Sequence, residues 1–465
     1  MSDWKEYTLE ELCDFQNGFA FKNSDYVNFS ENTHEVFRMG YINRGGGFKE
    51  DSTPVFVSKD YYRNLEKFLL IPNDITIAMT DMKNSMALLG YCARISQANR
   101  FVLNQRVGRI RVLKEDLLDP IFLYYYLNSP KQIEYLRANS NSGVQVNLGT
   151  ETIKQSILRI PNLEEQRKIA NILFCLDKKI QLNTQINQTL EQIAQAIFKS
   201  WFVDFDPVRA KAEALAKGKT QAEAELAAMQ IISGKTPEEL TALSQTHPDQ
   251  YAELAEIARA FPSEFEEVEG FGEVPRGWEV QELGSLMTIK RGSSPRPIKD
   301  FISETGLNWI KISDATAEDN PFLFSTKEYI KPEGLSKTVL LKQGSLILSN
   351  SATPGLPRFL EIDACIHDGW LYFSEIKELS QEYLYFFFIH IRENLVSQGN
   401  GSVFTNLKTD IVKSQKCIVP SDNVMGYFNI LSKKMMKLIR ENTYSSIILK
   451  ETRDLLLPRL LNGEI

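Results

Sequence analysis

The sequence predicts an α+β protein made by internal duplication: two copies of one domain, separated by two long antiparallel coiled-coil helices. Three observations carry this. A motif opens the chain as Trp4, Leu9, Leu12, Phe15 and Gly18, and returns with the same spacing as Trp278, Leu283, Leu286, Ile289 and Gly292. A second stretch aligns without a gap at an offset of 259, so that Asn147, Leu148, Thr150, Glu151, Ile153 and Pro161 match Asn406, Leu407, Thr409, Asp410, Val412 and Pro420. Both halves then run into a long heptad-patterned segment. Both ends of a unit matching in the same order is the signature of a repeat.

Between these anchors the halves carry the same parts. After Gly18 come "VFRMGYI" (36–42) and "NDITIAM" (73–79); after Gly292 come "NWIKISD" (308–314) and "GSLILSN" (344–350). Alternation and β-branched residues make these strands. Each half then has an aromatic run, "FLYYYL" (122–127) or "YLYFFF" (383–388), and a polar glycine-containing loop, 141–151 or 399–410.

The segment 164–202 repeats apolar residues every seven positions at Ile169, Leu176, Leu190 and Ile197, with Asn183 at the vacant step. A second series runs through Leu173, Ile180, Asn187, Ala194 and Trp201. The chain's end repeats the pattern at Phe428, Met435, Asn442, Leu449 and Leu456, with Asn442 lying 259 after Asn183. An a/d seam interrupted by Asn favours helix pairing and fixes its register. The residues expected to pair are Leu176, Ile180, Asn183 and Leu190 with Met435, Ile439, Asn442 and Leu449. A helix of ~40 residues is about 60 Å long, a rigid spacer. Residues 207–272 break the symmetry. They are Ala/Glu/Lys-rich and acidic, with Thr236 as an N-cap before Pro237, and read as a helical linker facing solvent or protein. The expected divisions are 1–160, 161–206, 207–272, 273–420 and 421–465.

Composition is that of a globular protein, 43% hydrophobic and 24% charged, with no apolar run long enough to span a membrane. Five scattered cysteines and an acidic N-terminus without a secretory pattern lead us to expect a reducing cytoplasm, without a disulfide frame or zinc site. The net charge of −7 is concentrated in the linker, which leaves both domains near neutral and able to carry a basic face.

Catalytic chemistry is poorly represented. The sequence has no Walker A, HExxH, CxxC or adenine-methyltransferase signature, and only four histidines. "NRGGGFKE" (43–50) reads as a loop tip, and its Arg44 is counted among the candidate DNA contacts. Asp363, Asp368, Glu375 and Lys377 loosely resemble a metal-dependent nuclease set, with no counterpart in the first half. Polar loops at matching places are better suited to reading DNA. Lys290, Arg291, Ser293, Ser294, Arg296 and Lys299 cluster in "KRGSSPRPIKD", while Lys83, Asn84, Asn350 and Thr353 follow equivalent strands. Arg reads guanine, Asn reads adenine, and Ser and Lys bind phosphate; the bland alternative for each is a solvated loop side chain. A non-enzymatic coiled-coil adaptor and a self-sufficient nuclease remain open as competing readings.

The order of parts resembles the specificity subunit of type I restriction–modification enzymes. The resemblance covers essentially the whole chain. Its most specific pieces are Pro161, Leu163, Glu165, Gln166 and Ile169 at the start of the first helix, and "LLLPRLLNGEI" (455–465). The start of the second helix, "PSDNVMGYF" (420–428), lacks the Glu-Gln pair. The resemblance implies two target-recognition domains that each read half of a split, asymmetric sequence in double-stranded DNA, with the helices setting the gap. It also implies two methyltransferase subunits that methylate adenine at N6, and two ATP-dependent restriction subunits. This chain would itself be non-catalytic and hold no cofactor; S-adenosylmethionine, ATP and Mg²⁺ would belong to the partners.

Overall fold

The computed structural model describes residues 4–465 except 51, 62, 63, 142, 144, 318 and 399–405. Most of the second polar loop, 399–410, lies outside the described residues. The chain forms two compact units, residues 1–181 with 446–465, and residues 182–445.

In the first unit, strand Lys5–Thr8 lies antiparallel to Ile157–Ile160, with Lys5 opposite Ile160. A capping box between Thr8 and Glu11 starts the short helix Leu9–Leu12, which buries both leucines of the opening motif. Cys13–Asn17 then joins an antiparallel sheet in the order Cys13–Asn17, Val107–Val112, Ile75–Ala78, Cys92–Arg94. A second sheet is ordered Tyr26–Val27, Phe56–Ser58, Thr33–Phe37, Phe101–Leu103, and its last pair is parallel. Helices Pro120–Leu127 and Pro130–Ala138 start at Asp119 and Ser129 caps with Pro at the first turn. The aromatic run is therefore helical. Its Phe122 and Leu123 share a core with Ile75, Ile77 and Ile110.

The second unit repeats this plan. Glu279–Glu282 pairs with Lys416–Val419, Glu279 opposite Val419. One sheet runs Thr288–Arg291, Trp370–Ser374, Leu346–Ser349, Pro357–Leu360, Phe322–Leu323. The other runs Ile302–Ser303, Glu328–Ile330, Leu307–Ile310, Ala364–Ile366, Val339–Leu341. Each sheet matches its counterpart strand for strand and adds one edge strand. Leu148 donates its amide to Met79 O (2.8 Å) and Leu407 donates to Asn350 O (2.7 Å), so the sequence offset of 259 is a structural equivalence.

The glycine that ends the opening motif has the same reason in both copies. Gly18 donates to Val107 O (3.2 Å) and Gly292 to Trp370 O (2.9 Å). A Cβ would sit 1.9 Å from Asn104 O at the first and 2.3 Å from His367 O at the second. Only glycine lets the backbone pass so close to the end of the neighbouring strand.

The helices Leu163–Phe202 and Asp422–Leu461 are each 40 residues long. In the second unit, Asn183 donates to Asn442 O (3.3 Å), and Asn187 donates to Thr443 Oγ1 (3.1 Å) and Ile439 O (3.3 Å). Asn442 donates back to Asn187 Oδ1 at 3.0 Å. Contacts that advance along one helix as they retreat along the other define an antiparallel pair. In the first unit, Arg453 meets Asp177 at 2.7 Å, and Asp177 also accepts from Tyr125 Oη at 2.7 Å.

Burial along the seam is uneven. Asn183 and Ile439 are fully buried, but Leu176, Ile180, Leu190, Met435, Asn442 and Leu449 are only half-buried. The buried face of the last helix instead passes through Ser432, Met436, Ile439, Thr443 and Ser446. A straight helix of 3.6 residues per turn drifts ~20° per heptad, which moves the stripe off a strict seven-residue series. The middle of the seam is consequently polar.

The linker forms helices Asp206–Ala216, Gln221–Ser233, Pro237–Thr246 and Pro248–Ala260, with a small core of Ala228, Met229, Leu240, Leu254 and Ala258. Thr236 caps its helix as expected, donating and accepting in a box with Glu239. The acidic stretch after it is a hairpin, Phe265–Val268 with Gly272–Pro275.

Candidate nucleic-acid interface

The expected strands end early, and each early end builds a cleft. "VFRMGYI" is extended only to Phe37, after which Met39–Tyr41 is a 3-10 turn. "NWIKISD" is extended only to Ile310, and Ile312–Ala315 is a helical turn. Phe37 pairs in parallel with Leu103, and Ile310 with Ile366. The next residues, Arg38 with Asn104 and Lys311 with His367, therefore emerge side by side at equivalent strand ends. The loop that follows Gly18 or Gly292 closes each cleft.

The first cleft has a volume of about 520 Å³ and is lined by Arg38, Asn104, Gln105 and Arg106, with Phe21 on the loop and Tyr26 on the edge strand that follows it. The Arg38 guanidinium donates to Thr53 O at 2.5 Å, while its Nε is buried without a partner among the described residues. The second cleft, about 650 Å³, is lined by Lys311, His367, Asp368 and Ser294, with Trp309 and Pro297 as apolar wall. Lys311 pairs with Glu328.

Asp368 is the organised centre of the second cleft. Ser294 donates to its Oδ1 at 2.7 Å, and Arg296 lies 3.7 Å from Oδ2. Its main-chain carbonyl accepts from Arg291 Nε and, at 3.2 Å, from Asn350 Nδ2. The Ser294 hydrogen bond is the leading cause that holds the Asp368 carboxyl below the usual range. Burial lowers His367, whose Nδ1 accepts from Gly369 N at 2.8 Å. The neutral ring then carries its proton on Nε2.

Of the residues singled out in the sequence, Arg291, Ser294, Arg296 and Asn350 converge on Asp368. Asn350 does so from inside: it is 1% exposed, so it positions a carbonyl and presents no amide to a ligand. Ser293 donates to Lys337 O at 3.0 Å, and Thr353 is half-buried, its carbonyl accepting from Ser349. Lys290 and Lys299 are exposed away from this network, as are Arg44, Lys83 and Asn84 on turns of the first unit. Asp81, which accepts from the amides of Met82 and Leu88 at 2.7 Å, shapes the Lys83–Asn84 turn. The nuclease-like carboxylates are engaged separately. Asp363 binds Lys342 (2.6 Å), Asp368 binds Ser294, and Glu375 accepts from Thr288 (2.6 Å). Among the described residues no group of three His, Cys, Asp or Glu side chains could hold a metal.

Sequence reasoning missed Arg38, Asn104, Gln105, Arg106, Lys311 and His367, and treated Asp368 only as part of a nuclease decoy. The usable signal was the repeated glycine, whose close approach marks the strand end carrying Asn104 or His367.

Two copies of one fold thus carry equivalent clefts with different polar groups in each. Residues 1–192 and 275–441 match the type I restriction modification DNA specificity domain, and the chain belongs to that family. It is 36% identical to the type I restriction enzyme HindI specificity subunit of Haemophilus influenzae, with 100% of both chains covered. It is 22% identical to the MjaIX specificity subunit of Methanocaldococcus jannaschii over 83% of this chain and 77% of the relative. The crystal structure of an S subunit from M. genitalium has the same fold, with a TM-score of 0.56 and 16% identity over 99% of this chain and 96% of that one. The chain is thus a non-catalytic DNA-specificity component of a type I restriction–modification system. None of its described helices is long and apolar enough to cross a membrane.

Proposed function

We propose that the chain reads a bipartite, asymmetric target in double-stranded DNA and brings methyltransferase and restriction subunits to it. The observation that carries this reading is the duplication itself. Strand order and register are kept in both domains, while the side chains at the matching strand ends differ. Two readers with one frame and different contacts suit two different half-sites. The exposed cations Arg44, Lys83, Lys290, Arg296 and Lys299, with Asn84 and Ser293 beside them, suit phosphate contacts that position the domains. Each half-site would include an adenine that a methyltransferase subunit flips out and methylates at N6, using S-adenosylmethionine held by that subunit.

The paired helices would set the gap between half-sites. Their outer faces expose Ile172, Ile186 and Ile193 on the first helix and Leu438, Ile448 and Leu455 on the second, apolar surface suited to partner subunits. Two restriction subunits would join that core, in the cytoplasm where the DNA lies. Exchange of residues 1–160 for the corresponding domain of another specificity subunit tests the reading. It should change one half of the methylated target and leave the other half and the gap intact. A change in both halves would contradict it.

A further inference from the structure

The two clefts hold the same place in the repeat through backbone contacts alone. Gly18 and Gly292 pack on the carbonyls of Asn104 and His367, and the parallel pairs Phe37–Leu103 and Ile310–Ile366 fix the strand ends. Side chains at these ends can therefore change without altering the frame. They have changed: Arg38 stands where the second domain has Lys311, Asn104 where it has His367, and Gln105 where it has Asp368.

A carboxylate is informative in a cleft proposed to meet DNA, because it repels phosphate. It needs a donor, and in the major groove the donors are the amino groups of cytosine N4 and adenine N6. Asp368 is prepared for one. Ser294 occupies Oδ1 at 2.7 Å, and Arg296 forms an ion pair with Oδ2 at 3.7 Å without a hydrogen bond. That arrangement leaves Oδ2 to accept, in a side chain 45% exposed. His367 and Lys311 line the same cleft; the imidazole Nε2–H, and the ammonium alongside its pair with Glu328, are donors for a neighbouring acceptor. Among the described residues the lining of the first cleft holds no carboxylate; Gln105, Asn104 and Arg106 offer amide and guanidinium groups, which suit adenine and guanine edges.

We infer that each cleft reads a base edge of its own half-site, with Asp368 accepting from the amino group of a cytosine or adenine and Gln105 the equivalent reader in the first domain. The inference rests on the split-target reading above and adds the residues that choose the bases.

The test is the methylated sequence produced by the assembled methyltransferase complex carrying wild-type chain, Asp368→Asn or Gln105→Glu. Asp368→Asn keeps the side chain's shape and the acceptor for Ser294, while replacing one acceptor oxygen by a donor. Gln105 is exposed, so Gln105→Glu tests the same idea without burden on folding. The expected result is a change of base preference, about 5- to 150-fold, at one position of one half-site for Asp368→Asn and of the other half-site for Gln105→Glu. Unchanged preferences in both variants would overturn the inference, as would weakening that is uniform across sequences. A wild-type complex that methylates no split target would instead overturn the split-target reading itself.

Discussion

The proposed spacer role of the helices makes a quantitative prediction. Residues 184–190 and 435–441 face each other across the seam, just beyond the Asn183–Asn442 contact. Repeating both segments once would copy Asn187, Leu190, Met436 and Ile439 in register and leave every contact outside the insertion in place. Each helix would lengthen by about 10.5 Å, the rise of roughly three base pairs at 3.4 Å. Seven residues leave the helix face turned by only ~20°, whereas three base pairs turn DNA by about 100°. The longer gap must therefore be met partly by twisting or bending the DNA, at a cost in affinity. Sequencing of methylated sites in a host expressing the complex should show a gap longer by about three base pairs, weaker methylation and unchanged half-sites. An unchanged gap in a folded, active complex would refute the spacer argument.

Other consequences can be checked on the purified chain. Asn187→Ala removes bonds to Thr443, Ile439 and Asn442 and should lower stability in urea by about 1–3 kcal/mol; combining it with Asn442→Ala should cost less than the sum of the two. Gly18→Ala and Gly292→Ala drive a methyl into carbonyl oxygens and should each cost at least ~1–3 kcal/mol. Helical Gly426, with nothing within 4 Å of a new Cβ, should tolerate Ala or gain about 0.5–1 kcal/mol. Burial lowers the proton affinity of His367 in the fold, so the unfolded state binds more protons and stability falls as pH drops through the ordinary histidine range. Melting temperatures at pH 7.5 and 5.5 should show a smaller decline for His367→Gln than for wild type.

Much of the architecture was legible because it depends on spacing. The Trp-Leu-Leu-Gly motif encodes a strand, a one-turn helix with two buried leucines, and a glycine at a close approach, and that combination is recognisable at any position in the chain. Thr236 before Pro237 was likewise a local signal. The clefts were hidden because Arg38 and Asn104, or Lys311 and His367, meet only through parallel pairing of strands more than fifty residues apart. Composition could not show that Asn350 faces inward while Arg296, at 82% exposure, faces out. The seam was half legible: the Asn steps were visible, but the drift that buries Thr443 and Ser446 instead of Leu449 belongs to the helix geometry.

The central claim is that one chain with two different readers selects one split target. Single-molecule sequencing of DNA from a methylation-free bacterial host, expressing this chain with the methyltransferase subunit encoded beside it, tests that claim most directly. The account predicts N6-methyladenine at an asymmetric motif of two unlike half-sites separated by a fixed gap, present only when both proteins are made. Methylation at a continuous or palindromic motif, or none from a complex that purifies intact, would contradict it.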